Sequence, residues 1–392
     1  MKALVNARLL TPKGFKQGQT LVFESGIITH ICDDQDRPKN AIVERDMDGQ
    51  TLVPGFIDLQ VNGGGGILFN DHPTVEGIKA IGEAHRKFGT TGFFPTLITT
   101  DLNVMARAIK AVDDAIEQGV PGVLGIHLEG PFLNAEKCGV HDASKFIQIG
   151  DDELDVISSL KHGKTIVTLA PEKTTPEVIR ALCKRGIIVS AGHTQATYDE
   201  TMEAMDAGLS GFTHLFNAMR PLDSRDPGII AAALQDPRGW CGIIVDGHHI
   251  HPAMMRLAHR AKVGDNIFLV TDAMPSVGAK DKAFSLNGSE ITVANGKCVT
   301  QDGKLAGSDL NMINAVRNAV DMLEIDFMQA VRMASNLPAQ FINMQDQVGE
   351  IRVGLSADFN VISKNQTVAE SWIKGKSKRK QTFSSIACFP NS

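Results

Sequence analysis

The chain has 392 residues, of which 43% are hydrophobic and 21% charged, an ordinary globular composition with enough apolar material for a large core. Its formal charge of −6 argues against binding to nucleic acid or a membrane surface, since both need a basic face, and an anionic substrate must be met by a local positive pocket. Six scattered cysteines (Cys32, Cys138, Cys183, Cys241, Cys298 and Cys388) form no C-x-x-C pair, which fits reduced thiols in a cytoplasmic protein better than a disulfide framework or a thiolate zinc cluster. The start MKALVNARLL is too short and too soon interrupted for a signal peptide, and no apolar run approaches the roughly 18 residues of a membrane span.

Residues 1–53 read as short β-rich pieces separated by turn residues, with no helical period. From Pro54 the pattern changes to apolar runs alternating with amphipathic stretches. Strands are expected at Phe56–Val61, Gly92–Thr96, Val123–Glu129, Thr165–Ala170, Ile187–His193, Gly211–Leu215, Cys241–Asp246 and Ile267–Thr271. Between them fall helix candidates at Val75–Phe88, Asn103–Gln118, Pro176–Arg185, Asp199–Ala207 and Pro252–Lys262. Strands and helices alternating over roughly 250 residues match a TIM (β/α)8 barrel. A doubly wound sheet would call for a dinucleotide fingerprint, and no G-x-G-x-x-G follows a strand.

After the eighth strand, residues 283–300 read as a β-hairpin insertion turning on Asn-Gly pairs. Helices at Asp309–Met322, with Ser308 as N-cap, and at Met328–Asn336 follow. Gly349–Ser363 returns to strand and turn and is expected to pair with residues 1–53. The predicted organisation is therefore a barrel over 54–344, a small β-sandwich-like domain from 1–53 plus 345–375, and a basic, then uncommitted tail over 376–392, expected to be exposed and poorly ordered from about Lys374.

Catalytic groups of such barrels sit at the C-terminal ends of the strands. There the first strand carries Asp58, Gln60 and Asn62 on one face, the third His127 and Glu129, the fifth His193, the sixth His214 followed by Asn217, the seventh Asp246, His248, His249 and His251, and the eighth Asp272. Two imidazoles and one carboxylate with an open fourth position make a catalytic zinc site. A metal there lowers the pKa of a bound water to about 7 and polarises a carbonyl. Asp272, beside that water, could take its proton and pass it to a leaving amine, which is chemistry for amide hydrolysis. His127 is expected to buttress Glu129 or a barrel layer and His251 to start a helix. The run Gly63–Gly66 lacks a following Lys-Ser/Thr and reads as a tight turn rather than a phosphate cradle.

Taken in order, PGFIDLQVNGGGG, HLEGPF, SAGHT, THLFNAM, VDGHH, TDAM, LAGS and GEIRVGLSADF resemble the N-acetylglucosamine-6-phosphate deacetylases of the amidohydrolase superfamily, from about residue 4 to about 375. The resemblance implies removal of acetate from the sugar phosphate, with Glu129, His193 and His214 as metal ligands and Asp272 as proton acceptor and donor. It implies that His141, beside Val140, contacts the acetyl carbonyl. Asn217 and Ala218 match the family's phosphate-binding pair. Arg225, His248 and His249 match further phosphate or sugar contacts, Gln60 a substrate contact, and Leu305, Ala306 and Gly307 a loop lining the acetyl group. It also implies a homodimer. Most of the superfamily carries His-x-His where Gln60 and Asn62 stand, and a bridging Lys that the fourth strand, TIVTLAPE, lacks. Both departures imply one divalent ion per subunit, expected to be Zn2+, with Fe2+, Co2+ or Mn2+ compatible with the donor set. The tail departs from the family pattern.

Overall fold

The computed structural model describes residues 1–379; residues 380–392, which hold Cys388 and most of the expected tail, lie outside them. Eight parallel strands follow one another around a barrel in chain order: Phe56–Val61, Thr90–Ile98, Gly125–Glu129, Lys164–Leu169, Ile188–Ala191, Gly211–Phe212, Trp240–Ile244 and Ile267–Val270. Each falls within a residue or two of where the apolar runs put it, except that the sixth stops at Phe212 rather than Leu215. The runs are almost unbroken in hydrophobicity because helices cover one face and the barrel interior the other. The ring closes where Asp272 N–H donates to the Gln60 carbonyl at 3.0 Å and Val61 bridges Ala273. Below that seam Asp58 is fully buried and accepts the Thr271 hydroxyl at 2.6 Å and the Thr271 N–H at 3.2 Å.

The outer helices start on side-chain caps. Thr74 accepts from Gly77 N–H, Thr175 precedes Pro176 at the first helical position, and Thr197 and Glu200 make a reciprocal capping box. The helix expected to begin after Ser308 instead spans Met312–Leu323 with Asn311 as its cap. Ser308 is drawn away because its hydroxyl donates to the Thr271 carbonyl at 2.5 Å. Three helices lack a legible period: Asp151–Ile157 is short, Asn336–Phe341 contains Pro338, and Gly228–Gln235 (GIIAAALQ) is buried from Gly228 to Leu234. A helix apolar on every side has no polar face to mark its turns.

The insertion forms a four-stranded antiparallel sheet, Phe284–Leu286, Ser289–Ala294, Lys297–Val299 and Leu305–Ser308. Its Asn287-Gly288 and Asn295-Gly296 turns take positive φ at both central residues, as two-residue hairpins require. The last of these strands returns to the barrel, where Ser308 N–H donates to the Asp272 carbonyl at 2.9 Å.

The chain ends share one sheet. Lys2–Thr11 pairs with Gly14–Glu24, and its other edge is divided between Ile42–Asp46 and Thr51–Pro54. Thr51–Pro54 then pairs antiparallel with Phe359–Ile362, which pairs with Val368–Ile373. Leu4, Leu21, Phe23, Leu52, Phe359 and Trp372 form its core. Lys376–Arg379, placed in the tail by the sequence reading, is a strand paired with Val368–Ile373. No helix among the described residues is long and apolar enough to cross a membrane.

Candidate active site

Glu129, His193 and His214 arrive from three strand ends, and their ligand atoms all lie within 4.8 Å of one another. Glu129 ends the third strand. The two histidines each sit two residues beyond theirs, at φ +49° and +35°, and Asp272 stands at φ +53° beyond the eighth. Non-glycine residues in this region are uncommon and concentrate where the surrounding structure holds a functional group in place. Here the left-handed step turns each side chain from the barrel wall toward its mouth. His214 Nε2 lies 2.9 Å and His193 Nε2 3.3 Å from Glu129 Oε1. Burial opposes ionisation of Glu129, but hydrogen bonds from His193 and His214, with the charge of His214, outweigh it and hold the carboxyl well below its usual range.

The donor set fits a divalent cation. His193 Nδ1–H donates to the Lys137 carbonyl at 2.8 Å, which fixes the tautomer and leaves the Nε2 lone pair facing the cluster, the usual arrangement behind a metal-binding imidazole. With two nitrogens and one carboxylate, such a centre keeps an open coordination position.

Asp272 is tied to the cluster through amides. Asn62 Nδ2 donates to its Oδ1 at 2.6 Å and Gln60 Nε2 at 3.2 Å, while the same Gln60 nitrogen lies 3.2 and 3.1 Å from the two oxygens of Glu129. Gln60 and Asn62 thus hold the two carboxylates with neutral donors. Burial, then repulsion from Glu129, pushes the Asp272 carboxyl up to about 6, a value that suits a group taking and returning a proton near neutral pH.

His141 packs against the cluster, its ring centroid 4.4 Å from that of His193. Its Nδ1 accepts the Thr99 N–H at 3.4 Å and meets the Thr99 hydroxyl at 2.8 Å, so the proton resides on Nε2. Burial, then the neighbouring His193, depresses its pKa to about 3, and His141 is a neutral hydrogen-bond donor. His127 is occupied within the barrel, with Nε2 2.7 Å from the Thr168 hydroxyl and Nδ1 3.1 Å from the Leu59 carbonyl. His251 caps the helix Pro252–Ala261, and Gly63–Gly64 pairs with Ile67–Leu68 as a tight hairpin.

The other expected contacts ring this centre at different distances. Asn217 Nδ2 folds back onto the His214 carbonyl at 3.0 Å, and the Ala218 carbonyl accepts Thr194 N–H at 3.0 Å. His249 Nδ1 is 2.6 Å from Asp246 Oδ2, and its charge is felt by Asp272. His248 Nε2 faces the insertion, 3.0 Å from the Asn295 carbonyl. Gly307 lies under Asp272: a Cβ there would be 2.9 Å from the Asp272 carbonyl and 2.6 Å from Met274 Cγ. Beside it, Ala306 is buried and Leu305 half-buried. Val140 packs on the insertion core, and its carbonyl accepts Asn287 Nδ2 at 2.9 Å. Arg225 is not brought to the cluster; it is exposed, and its N–H donates to Asp223. Missed by sequence reasoning were Thr99 and the Lys137 carbonyl, which leave no signature, and the support that Asn62 gives Asp272, which its place on the Gln60 face could have revealed.

An amidohydrolase fold and site are thereby defined, and the chain belongs to the amidohydrolase family, whose profile it matches over residues 51–379. It is 43% identical over 326 residues to the N-acetylgalactosamine-6-phosphate deacetylase of Shewanella sp. strain ANA-3, covering 83% of this chain and 82% of that protein. It is 34% identical over 379 residues to the N-acetylglucosamine-6-phosphate deacetylase of Haemophilus influenzae, covering 96% of this chain and 99% of that one. The crystal structure of N-acetylglucosamine-6-phosphate deacetylase from Pasteurella multocida superposes with a TM-score of 0.92 at 36% identity, covering 97% of this chain and 100% of that one.

Proposed function

We propose that the chain hydrolyses the N-acetyl group of N-acetyl-D-glucosamine 6-phosphate to D-glucosamine 6-phosphate and acetate, in the cytoplasm and as a homodimer. The observation that carries the reading is the buried Glu129–His193–His214 cluster with Asp272 tied to it through Gln60, in a chain whose full-length relatives are sugar-phosphate deacetylases. Five described cysteines are free, which supports a reducing compartment.

Glu129, His193 and His214 would hold one divalent ion, Zn2+ in our reading, which supplies Lewis-acid polarisation of the acetyl carbonyl and a more acidic water. Asp272 takes the proton of the attacking water and delivers it to the sugar nitrogen as the C–N bond breaks. His141 donates Nε2–H to the acetyl oxygen as negative charge develops there, and Val140 with Leu305, Ala306 and Gly307 encloses the methyl side. Gln60 holds both carboxylates in register with the substrate. Asn217, Ala218, His248 and His249 bind the phosphate and sugar, and Arg225, exposed on its loop, adds the positive charge that a chain of net charge −6 requires there.

A second reading, the galacto epimer, is favoured by the 43% identity to the Shewanella protein; the epimers differ at one hydroxyl. Acetate release by metal-loaded protein tests both. N-Acetylglucosamine 6-phosphate should be turned over far faster than N-acetylglucosamine; equal rates would remove the phosphate pocket. A higher kcat/KM for N-acetylgalactosamine 6-phosphate would select the second reading.

A further inference from the structure

Glu172 has no part in the chemistry above, yet donors from two other strand-end loops converge on it. It follows the fourth barrel strand in the turn Pro171–Lys173. Its Oε1 accepts Gln195 N–H at 2.7 Å and Asn134 Nδ2 at 2.8 Å, and its Oε2 accepts the Thr194 hydroxyl at 2.5 Å. Thr194 and Gln195 directly follow His193 in the chain, and Asn134 meets it across the loops. Asn134 N–H donates to the His193 carbonyl at 3.0 Å, and Thr194 N–H donates to the Ala218 carbonyl at 3.0 Å. The Gln195 carbonyl in turn accepts Arg220 Nη1 at 3.2 Å.

His193 stands at φ +49°, a conformation that costs on the order of 1–3 kcal/mol and persists only where its surroundings over-determine it. Besides the Lys137 carbonyl on Nδ1, the residues that hold its backbone in place, Asn134, Thr194 and Gln195, all meet one carboxylate. We propose that Glu172 is a positioning residue: by clamping Asn134, Thr194 and Gln195 it holds His193 in the left-handed conformation that aims Nε2 at Glu129 and His214, and so sets the cation affinity of the cluster. Thr194, held in this clamp by its hydroxyl, also joins the His193 loop to Ala218 through its own N–H, linking the cation site to the segment proposed to bind phosphate. The inference rests on the reading of Glu129, His193 and His214 as cation ligands. It does not depend on which substrate is hydrolysed.

The test is Zn2+ titration of the full-length, zinc-free protein against a fluorescent chelator, with melting followed in parallel. Glu172→Ala removes both acceptor oxygens and with them all three hydrogen bonds, and zinc affinity should fall about 10- to 100-fold, the usual effect of losing a group that supports a metal ligand. Glu172→Gln keeps an acceptor for Gln195 N–H and Asn134 and lets the Thr194 hydroxyl reverse, so it should recover most of the affinity. Glu177→Gln, on the next helix with its side chain 76% exposed, should bind zinc as the wild type does. Zinc affinity of Glu172→Ala within twofold of wild type overturns the proposal, as does a lowered Tm with unchanged affinity, which would mark a purely structural role. If Glu172→Ala does not fold, Thr194→Val removes the Oε2 contact together with the bond that the Thr194 hydroxyl accepts from Ala196 N–H at 2.9 Å, and unchanged affinity in that variant overturns the proposal equally. A wild type that binds no zinc would refute the cation site itself, whereas one that binds zinc without releasing acetate would refute only the proposed substrate.

Discussion

Replacing Asp272 by Asn isolates the proton-transfer function from everything else the residue does. The carboxamide oxygen can keep the bonds from Asn62 Nδ2 at 2.6 Å and Gln60 Nε2 at 3.2 Å, and Asn tolerates the φ of +53° found there. What disappears is a basic oxygen beside the site of attack. A positioned acid–base group is worth about 10²- to 10⁴-fold, and at 1.36 kcal/mol per decade this is about 2.7–5.4 kcal/mol of barrier. Glu129, His193 and His214 are untouched, so the cation should be retained. The assay is acetate release from N-acetylglucosamine 6-phosphate with metal content measured on the same sample. A kcat within tenfold of wild type at full metal occupancy would exclude Asp272 as the base. Loss of the metal with the activity would recast it as a ligand.

Four further outcomes are expected. His193→Ala should lose its metal, and full occupancy by elemental analysis would remove His193 from the ligand set. His141→Ala should keep the metal and lose about 10²- to 10³-fold in kcat, the scale of one oxyanion donor; a change confined to KM would contradict that role. Arg225→Ala should raise KM for the phosphorylated sugar and leave a phosphate-free analogue almost unaffected, and equal effects on the two would rule out a phosphate contact. Asp58 offers a pH test. Burial raises its pKa from 3.8 to about 7 in the folded protein, so the folded state binds this proton more tightly than the unfolded chain does. Its contribution to stability is full below about pH 4 and is lost as pH rises through 7. Asn mimics the neutral acid, so the Tm of Asp58→Asn relative to wild type should climb between pH 4 and 7; a flat difference would show that Asp58 is ionised throughout.

The barrel was legible because its strands are buried on both faces and its helices on one, which prints two different periods on the sequence. The site was legible for the same reason: a polar residue closing an apolar run is conspicuous, and Glu129, His193, His214 and Asp272 each do so. What could not be read was how the chain leaves the strand. His214 was placed on a strand running to Leu215, but the strand stops at Phe212, and the change of hand that aims the imidazole is a backbone property carried by no residue type. Support by the Lys137 carbonyl is invisible for the same reason. Ser308 fits an N-cap as well as Asn311 does, and only the proximity of the Thr271 carbonyl separates them. Lys376–Arg379 lacks the apolar alternation of a strand because it sits at the sheet edge, where charge discourages pairing with other chains.

The sheet shared by the chain ends imposes a timetable on synthesis. Thr51–Pro54 is made roughly 300 residues before its partner Phe359–Ile362, and Asn360 reaches across 271 residues to the Gly89 carbonyl. At about 5–20 residues per second, a gap of roughly 300 residues leaves that strand edge open for on the order of 15–60 s. Through that interval the amino-terminal strands can pair with one another, but the free edge of Thr51–Pro54 is open to association. That edge is sealed only by Phe359–Ile362, so a ribosome that stops before this segment would release a chain with an open sheet edge beside whatever barrel had formed.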